Sequence, residues 1–175
     1  MKSSIRPVRI EHGFAWVTLT KGYTCKVDLC DYDLVKDYNW WALEKHDAYG
    51  SVSCVYAMRT LCRNGAKKNQ RMHRILTNAD DDVMVDHRDG DGLNNTRQNL
   101  RFATRSQNQQ NKGPQKSNKT GVKGVYFCKI RKKYRATINA NKKFYDLGRY
   151  EKIEDAEKAY IKAMNLLHQE FGRSS

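Results

Sequence analysis

One stretch limits what this chain can fold into more than any other. From Val85 the sequence runs Asp86-His87-Arg88-Asp89-Gly90-Asp91-Gly92-Leu93-Asn94-Asn95, then through Asn99-Leu100-Arg101-Phe102 to Asn108. Asp81 to His87 reads as a strand carrying Asp86 and His87 at its end. Asp89-Gly90-Asp91-Gly92 reads as a tight loop, and Leu100 to Thr104 as a second short strand. A polar helix starts at Arg105, with Thr104 or Ser106 available to cap it. Strand, loop, strand and helix make a ββα unit over about residues 82–111. Successive strand residues point to opposite faces, so Asp86 and His87 serve one site only with a twist or at a strand end.

The balance of charge bears on what such a unit would act upon. The 175 residues carry a formal net charge of +14 and a pI near 9.6, which favours a polyanionic partner. A hydrophobic fraction of 39% with a mean hydropathy of -0.87 suits two compact modules better than one large core. No apolar run approaches the roughly 18 residues that span a bilayer. The opening Met1 to Pro7 is not followed by an apolar signal core, so a cytoplasmic protein without a membrane partner is expected. Five cysteines, at 25, 30, 54, 62 and 128, show no Cys-x-x-Cys spacing. They read as reduced, partly buried residues rather than a disulfide framework or a zinc site.

Residues 8–30 look like strands, with Lys21-Gly22 as a turn between Phe14–Leu19 and Tyr23–Asp28. Asp31 to Tyr38 reads as a short helix with an acidic start. Trp40–Leu43 and Gly50–Ala57 resume extended structure, the Trp pair reads as core, and Asn64-Gly65 is a hairpin turn. Arg63 to Arg74 is basic, either a solvated turn or a phosphate holder, and Arg74 is a candidate DNA contact. His73 is open between a buried hydrogen-bonded residue and a phosphate or metal contact. Asp89, Asp91, Asn94 and Asn95 imitate a calcium loop, but no Glu stands at the twelfth position and no helices flank it; they read as turn formers.

Val85-Asp86-His87, Asp89-Gly90-Asp91-Gly92-Leu93-Asn94-Asn95, Asn99-Leu100-Arg101 and Ser106 to Asn111 resemble the HNH nuclease motif in its His-Asn-Asn form. That form occurs in phage and intron-associated homing endonucleases, and the resemblance runs from about Arg9 to Asn111. It implies that His87 is the general base and that Asn99 ties the loop to the strand. Asn108 stands where the His-Asn-His version has its last histidine, and Asp86 and Asn108 would hold a divalent metal. The residue types fit: a histidine titrates near neutral pH and can take a water proton. Oxygen ligands from Asp and Asn suit Mg²⁺ or Mn²⁺.

Residues 112–120 form a basic linker rich in Pro, Gly, Ser and Asn. Beyond it come three short strands (124–129, 133–139 and 143–148) and a helix from Glu154 to Leu167. The apolar residues of this helix, from Ala156 to Leu167, fall on one face. Val122-Lys123-Gly124-Val125, Tyr134 to Ile138, Leu147-Gly148-Arg149-Tyr150 and Glu154 to Tyr160 resemble the plant ethylene-response-factor type of DNA-binding domain, over about 118–171. In that family the sheet lies in the major groove. If Tyr134, Ala136 and Ile138 face the helix, alternation turns Arg135, Thr137 and Asn139 to DNA. Tyr126, Cys128, Phe144 and Asp146 would lie on that side too, with Lys123 and Arg149 at the edges, and Lys143 is a further candidate DNA contact. From Lys112 to Arg149 there are twelve Lys/Arg against one acid, Asp146, a stripe that would neutralise phosphates with strong salt dependence.

The expectation is an α+β protein: a nuclease domain over 1–111, a linker over 112–120, and over 121–175 a three-stranded antiparallel sheet packed on one helix. It would be a site-specific DNA endonuclease of the homing type acting on double-stranded DNA with one Mg²⁺ or Mn²⁺. It would nick as a monomer in the cytoplasm of a bacterial or phage-infected cell. The alternative is a sequence-specific DNA-binding regulator with an inactive nuclease fold.

Overall fold

The computed structural model describes residues 5–115, 117–140, 142–168 and 171–172. The chain divides into two compact units, Met1–Thr104 and Arg105–Ser175, and is a mixed α/β protein with many strands and few helices. None of the described helices is long and apolar enough to cross a membrane.

In the first unit, β1 (Val8–Glu11), β2 (Phe14–Thr18) and β3 (Thr24–Asp28) form an antiparallel meander. Period-two alternation buries Ala15, Val17, Cys25 and Val27 and leaves their neighbours partly open. The helix expected from Asp31 to Tyr38 is a single turn, α1 (Tyr32–Val35). The Asp31 carboxylate does not cap it, being held at 2.9 and 2.6 Å by the Arg97 guanidinium. The Trp40 indole donates to the Val35 carbonyl at 2.9 Å and turns the chain inward.

A second antiparallel sheet follows, of β4 (Trp41–His46), β5 (Val52–Arg63) and β6 (Ala66–Arg71). Asn64 and Gly65, both at positive φ (50° and 76°), close the β5–β6 hairpin as a two-residue turn requires. The basic run then enters α2 (Met72–Leu76), which the sequence pattern does not distinguish from a turn. Met72, His73 and Leu76 are its buried side, hidden in the sequence among arginines.

The strand expected from Asp81 begins only at Met84. Just before it the Arg74 guanidinium donates to the carbonyls of Ala79, Asp80 and Val83, bending that segment. β7 (Met84–His87) pairs antiparallel with β9 (Leu100–Ala103). Between them β8 (Asn94–Asn95) joins the first sheet, parallel to β3. Asn94 and Asn95 are therefore sheet residues as well as loop residues. The core gathers Val17 of β2, Val27 of β3, Val35 of α1, Trp40, Ala42 of β4, Ala57 of β5, Met72 of α2 and Leu100 of β9.

The second unit begins with α3 (Arg105–Asn111). Its sheet is β10 (Val125–Cys128), β11 (Lys133–Ala140) and β12 (Lys143–Tyr150), antiparallel in that order, against α4 (Ile153–Leu167). Val125, Ala136 and Ile138 pack on Ala156, Tyr160 and Met164. Gly124 (φ +74°) sits so close that a Cβ would fall 2.4 Å from both the Thr137 carbonyl and the Tyr160 ring.

Trp40 is fully buried and bonded through its indole. Trp40→Ala should lower unfolding free energy by about 3–5 kcal/mol. Urea denaturation followed by circular dichroism measures this, and a drop smaller than ~1 kcal/mol would place Trp40 outside the core.

Candidate functional site

The site grows out of the β7–β9 register. Asp86 stands directly opposite Arg101 and His87 opposite Leu100. Asp86 and Arg101 form a buried ion pair in which Arg101 Nε and Nη2 both donate to Asp86 Oδ2 at 3.0 Å. Alternation gives His87 a different set of neighbours. Its ring lies 5.0 Å from that of His73 in edge-to-face contact and 6.0 Å from that of Tyr56, while Tyr56 and His73 are 5.7 Å apart. His87 Nε2 lies 3.2 Å from Asn95 Oδ1. Asp86 and His87 are 6% and 5% exposed, so both chemical groups sit within the fold.

The loop between the strands is fastened from inside. Asn99 Nδ2 donates to Asp89 Oδ1 (2.9 Å) and to the Asn94 carbonyl (2.8 Å), and Asn99 Oδ1 accepts from the Asp89 amide (3.1 Å). Asp89 and Asp91 make the short Asx turns expected of them, each accepting from a backbone N–H two residues on. The loop is also fastened from outside. Lys26 N donates to the Leu93 carbonyl, and Arg97 N donates to the Asp28 carboxylate. At Gly92 a Cβ would lie 2.3 Å from the Val55 carbonyl and 2.8 Å from the Tyr56 ring, so only glycine lets the loop press against β5.

Electrostatics follow from burial. Desolvation lowers the His87 pKa below 6.5, partly offset by Asn95 and by the carboxylates of Asp89, Asp86 and Asp91. His73, buried beside His87, Arg71 and Arg74, is pushed down to about 3. Burial also raises the Tyr56 phenol, helped by Cys54, and drives the Cys25 thiol up to about 12, so it stays protonated. The five cysteines are free.

The remaining sequence candidates are distributed as follows. Asn108 lies on α3, in the second unit. Arg74, a candidate DNA contact, directs its guanidinium to the carbonyls of the 79–83 segment. Lys123 Nζ donates to the carbonyls of Gln109, Gln110 and Lys112. Arg135 bonds Asp146 Oδ2 through Nε (3.1 Å) and Nη2 (2.8 Å) and the Tyr126 hydroxyl through Nη1 (2.9 Å). Tyr126, Asn139, Lys143 and Arg149 are exposed, and Thr137 is half-buried with its hydroxyl directed to the Gly124 carbonyl. Ala136, Ile138 and Ala140 are buried, so the face pattern of β11 is the one alternation predicts.

Among the described residues no group of three or more His, Cys, Asp or Glu is placed to hold a metal. Taken singly, a carboxylate such as that of Asp86 and a side-chain amide such as that of Asn108 are hard oxygen donors, of the chemical type that suits Mg²⁺ better than a softer ion. Arg101, Asn95 and Tyr56 are the residues that sequence reasoning missed. Arg101 was within reach, since aligning β7 with β9 sets it opposite Asp86. Tyr56, some thirty residues upstream, left no signal.

A family model described as HNH endonuclease matches residues 78–110, the segment that carries Asp86, His87, Asn99 and Asn108. The match crosses the boundary between the two compact units at Thr104. Protein 3.8 of Escherichia phage T7 is 34% identical over 89 residues, which are 51% of this chain and 73% of that protein. No solved structure matches.

The His73 shift has a stability consequence. The unfolded chain takes a proton on this residue near pH 6.5, while the folded chain holds off until about pH 3. Protons therefore favour unfolding: the contribution is whole above about pH 6.5 and falls away as pH drops toward 3. His73→Phe should flatten that fall, read as the difference between urea midpoints at about pH 7 and about pH 4. Equal differences in variant and wild type would overturn the assignment.

Proposed function

The chain belongs to the family of protein 3.8 of Escherichia phage T7, and from that premise we propose that it is a site-specific DNA endonuclease of the HNH type. The observation that carries the reading is His87, buried at the end of β7 beside Asp86, within the segment that matches the HNH endonuclease model. In this reading the functional domain is 1–111, taking in α3 because the matched segment does. Residues 112–120 are a basic linker and 121–175 an ethylene-response-factor-like DNA-binding domain.

The chemistry is phosphodiester hydrolysis. A water oxygen bonds to phosphorus while His87 takes the water's proton, and the bond to the 3′ oxygen breaks, that oxygen taking a proton from solvent to leave a 3′ hydroxyl and a 5′ phosphate. Asp86 and Asn108 would hold one divalent ion, Mg²⁺ or Mn²⁺, which when bound neutralises charge on the scissile phosphate and the departing 3′ oxygen. Asn99 keeps the loop in register beneath His87. Arg101 holds the Asp86 carboxylate in place from across the strand pair. One such site per chain gives a nick by a monomer. The working compartment is the cytoplasm of a phage-infected cell, and the homing habit is part of the proposal.

Double-stranded DNA is the substrate that the charge favours. From Val52 to Ala79 there are six Lys/Arg and no acid, and in the same unit the exposed β6 strand carries Lys67, Lys68 and Arg71. In the second unit the face of β11 with Tyr126, Arg135, Thr137 and Asn139, with Lys143 at the start of β12 and Lys123 and Arg149 at the edges, would read the target. Asp146 already neutralises Arg135 on that face. A base contact from Arg135 therefore requires exchange of an ion pair, which sharpens discrimination more than affinity.

Supercoiled plasmid carrying the DNA that flanks the gene, with Mg²⁺ or Mn²⁺, tests the activity. Wild type should convert it to open circles. His87→Ala should not, and Asp86→Ala and Asn108→Ala should lose cleavage while retaining DNA binding. Binding without cleavage by wild type across metals would favour a regulator with an inactive nuclease fold. In a separate measurement, replacing Lys67, Lys68 and Arg71 by Ala should lower the slope of log affinity against log salt by up to ~2.7, or about 0.9 for each phosphate no longer neutralised. An unchanged slope would remove β6 from the interface.

A further inference from the structure

Among the buried polar side chains that the nuclease reading leaves unused, Asn95 stands directly against His87. Asn95 is 0% exposed and touches nothing that would be cleaved. Its amide is oriented by what surrounds it. Nδ2 faces the Gly92 carbonyl at 3.4 Å and Cys25 Sγ at 2.9 Å. A carbonyl can only accept, so the nitrogen of the amide must point that way and Oδ1 must point the other, toward His87 Nε2 at 3.2 Å. Cys25, itself fully buried and placed 3.3 Å from Met72 Sδ with its thiol directed there, presents a lone pair to the same amide. Reversing the amide would set its oxygen against the Gly92 carbonyl, leaving two acceptors facing each other in a buried place with no proton between them.

An oxygen at His87 Nε2 requires the proton on that nitrogen, which leaves the lone pair on Nδ1. We propose that Asn95 is a positioning residue that fixes His87 as the Nε2–H tautomer, so that Nδ1 is the nitrogen that accepts a proton from water, with Cys25 and the Gly92 carbonyl locking the Asn95 amide in the required sense. The role as a base rests on the nuclease reading; the tautomer does not. The device is local to the β3–β8 junction: Asn95 of β8 pairs with Val27, and Cys25 lies two residues before Val27 on β3. The first sheet thus sets the orientation of a ring on another strand pair. A neutral amide also adds no charge beside the imidazole, whereas a carboxylate there would favour the imidazolium.

The long-range proton–nitrogen spectrum of protein labelled with nitrogen-15 in histidine reads the tautomer directly. The His87 signals are those absent from His87→Gln. Above the imidazole titration, wild type should show Nε2 protonated and Nδ1 unprotonated, and the reverse would overturn the proposal without any further variant. In Asn95→Leu the two nitrogens should move toward averaged shifts. In Asn95→Asp, whose carboxylate still accepts from Nε2, the wild-type tautomer should be kept. Plasmid nicking should fall about 10–100-fold in Asn95→Leu, with DNA affinity unchanged, and less in Asn95→Asp. A wild-type tautomer in folded Asn95→Leu, or equal losses of nicking in the two variants, would refute the role. The expected tautomer in a wild-type protein that cuts nothing would leave the inference standing and remove the nuclease reading.

Discussion

The hydrogen bonds of the Asn99 side chain hold the rest of the site in place. A long loop between two short strands has many conformations, and its ordering costs entropy that local turns alone do not offset. Asn99 meets this by joining the loop's start, at Asp89, to its later part, at Asn94, through three hydrogen bonds from one amide. With the two parts joined, Asn94 and Asn95 fall beside β3 and Gly92 falls against β5. His87 is then enclosed by groups from the first sheet, the second sheet and α2. A small amide in one loop thereby decides what the strand end sees.

Much of this was legible in the residues. The β7–β9 pair, the polar helix after it, the hairpin at Asn64-Gly65 and the alternation of β11 rest on local patterns, and local patterns survive in a one-dimensional reading. The neighbours that give His87 its surroundings do not. Tyr56, His73 and Asn95 arrive from three segments, and nothing in the spacing of any one of them records that they meet. Asn95 reads as a turn former because its neighbours are; its pairing with Val27 depends on β3, nearly seventy residues earlier. The helix α2 is hidden for a different reason. Its buried side is three residues wide, and the charge around it dominates the pattern.

Charge shows the same limit. A net +14 describes a protein that attracts polyanions, but composition is silent about which cations are already committed. Arg74, Arg97 and Arg101 serve the fold: the first bends a segment, the second clamps the loop to the start of α1, the third neutralises Asp86. Lys67, Lys68 and Arg71 lie along an exposed edge strand instead. Charged edges also discourage strand addition by another chain, so one row of residues can keep the sheet from aggregating and remain available to a phosphate backbone.

Lys123 illustrates how a residue can belong to two parts of a machine. Its ammonium lies on the carbonyls at the end of α3 and the start of the linker, while its backbone leads into β10. The helix that bears Asn108 is thus moored to the sheet of the second unit by this cation. A phosphate arriving at that cation would compete with the three carbonyls for it, so an anion held at the sheet would loosen α3, and a firmly moored α3 would leave less of that cation to an anion. Under the proposed nuclease reading, a loss on changing Lys123 would report slackened mooring as much as a missing contact to phosphate.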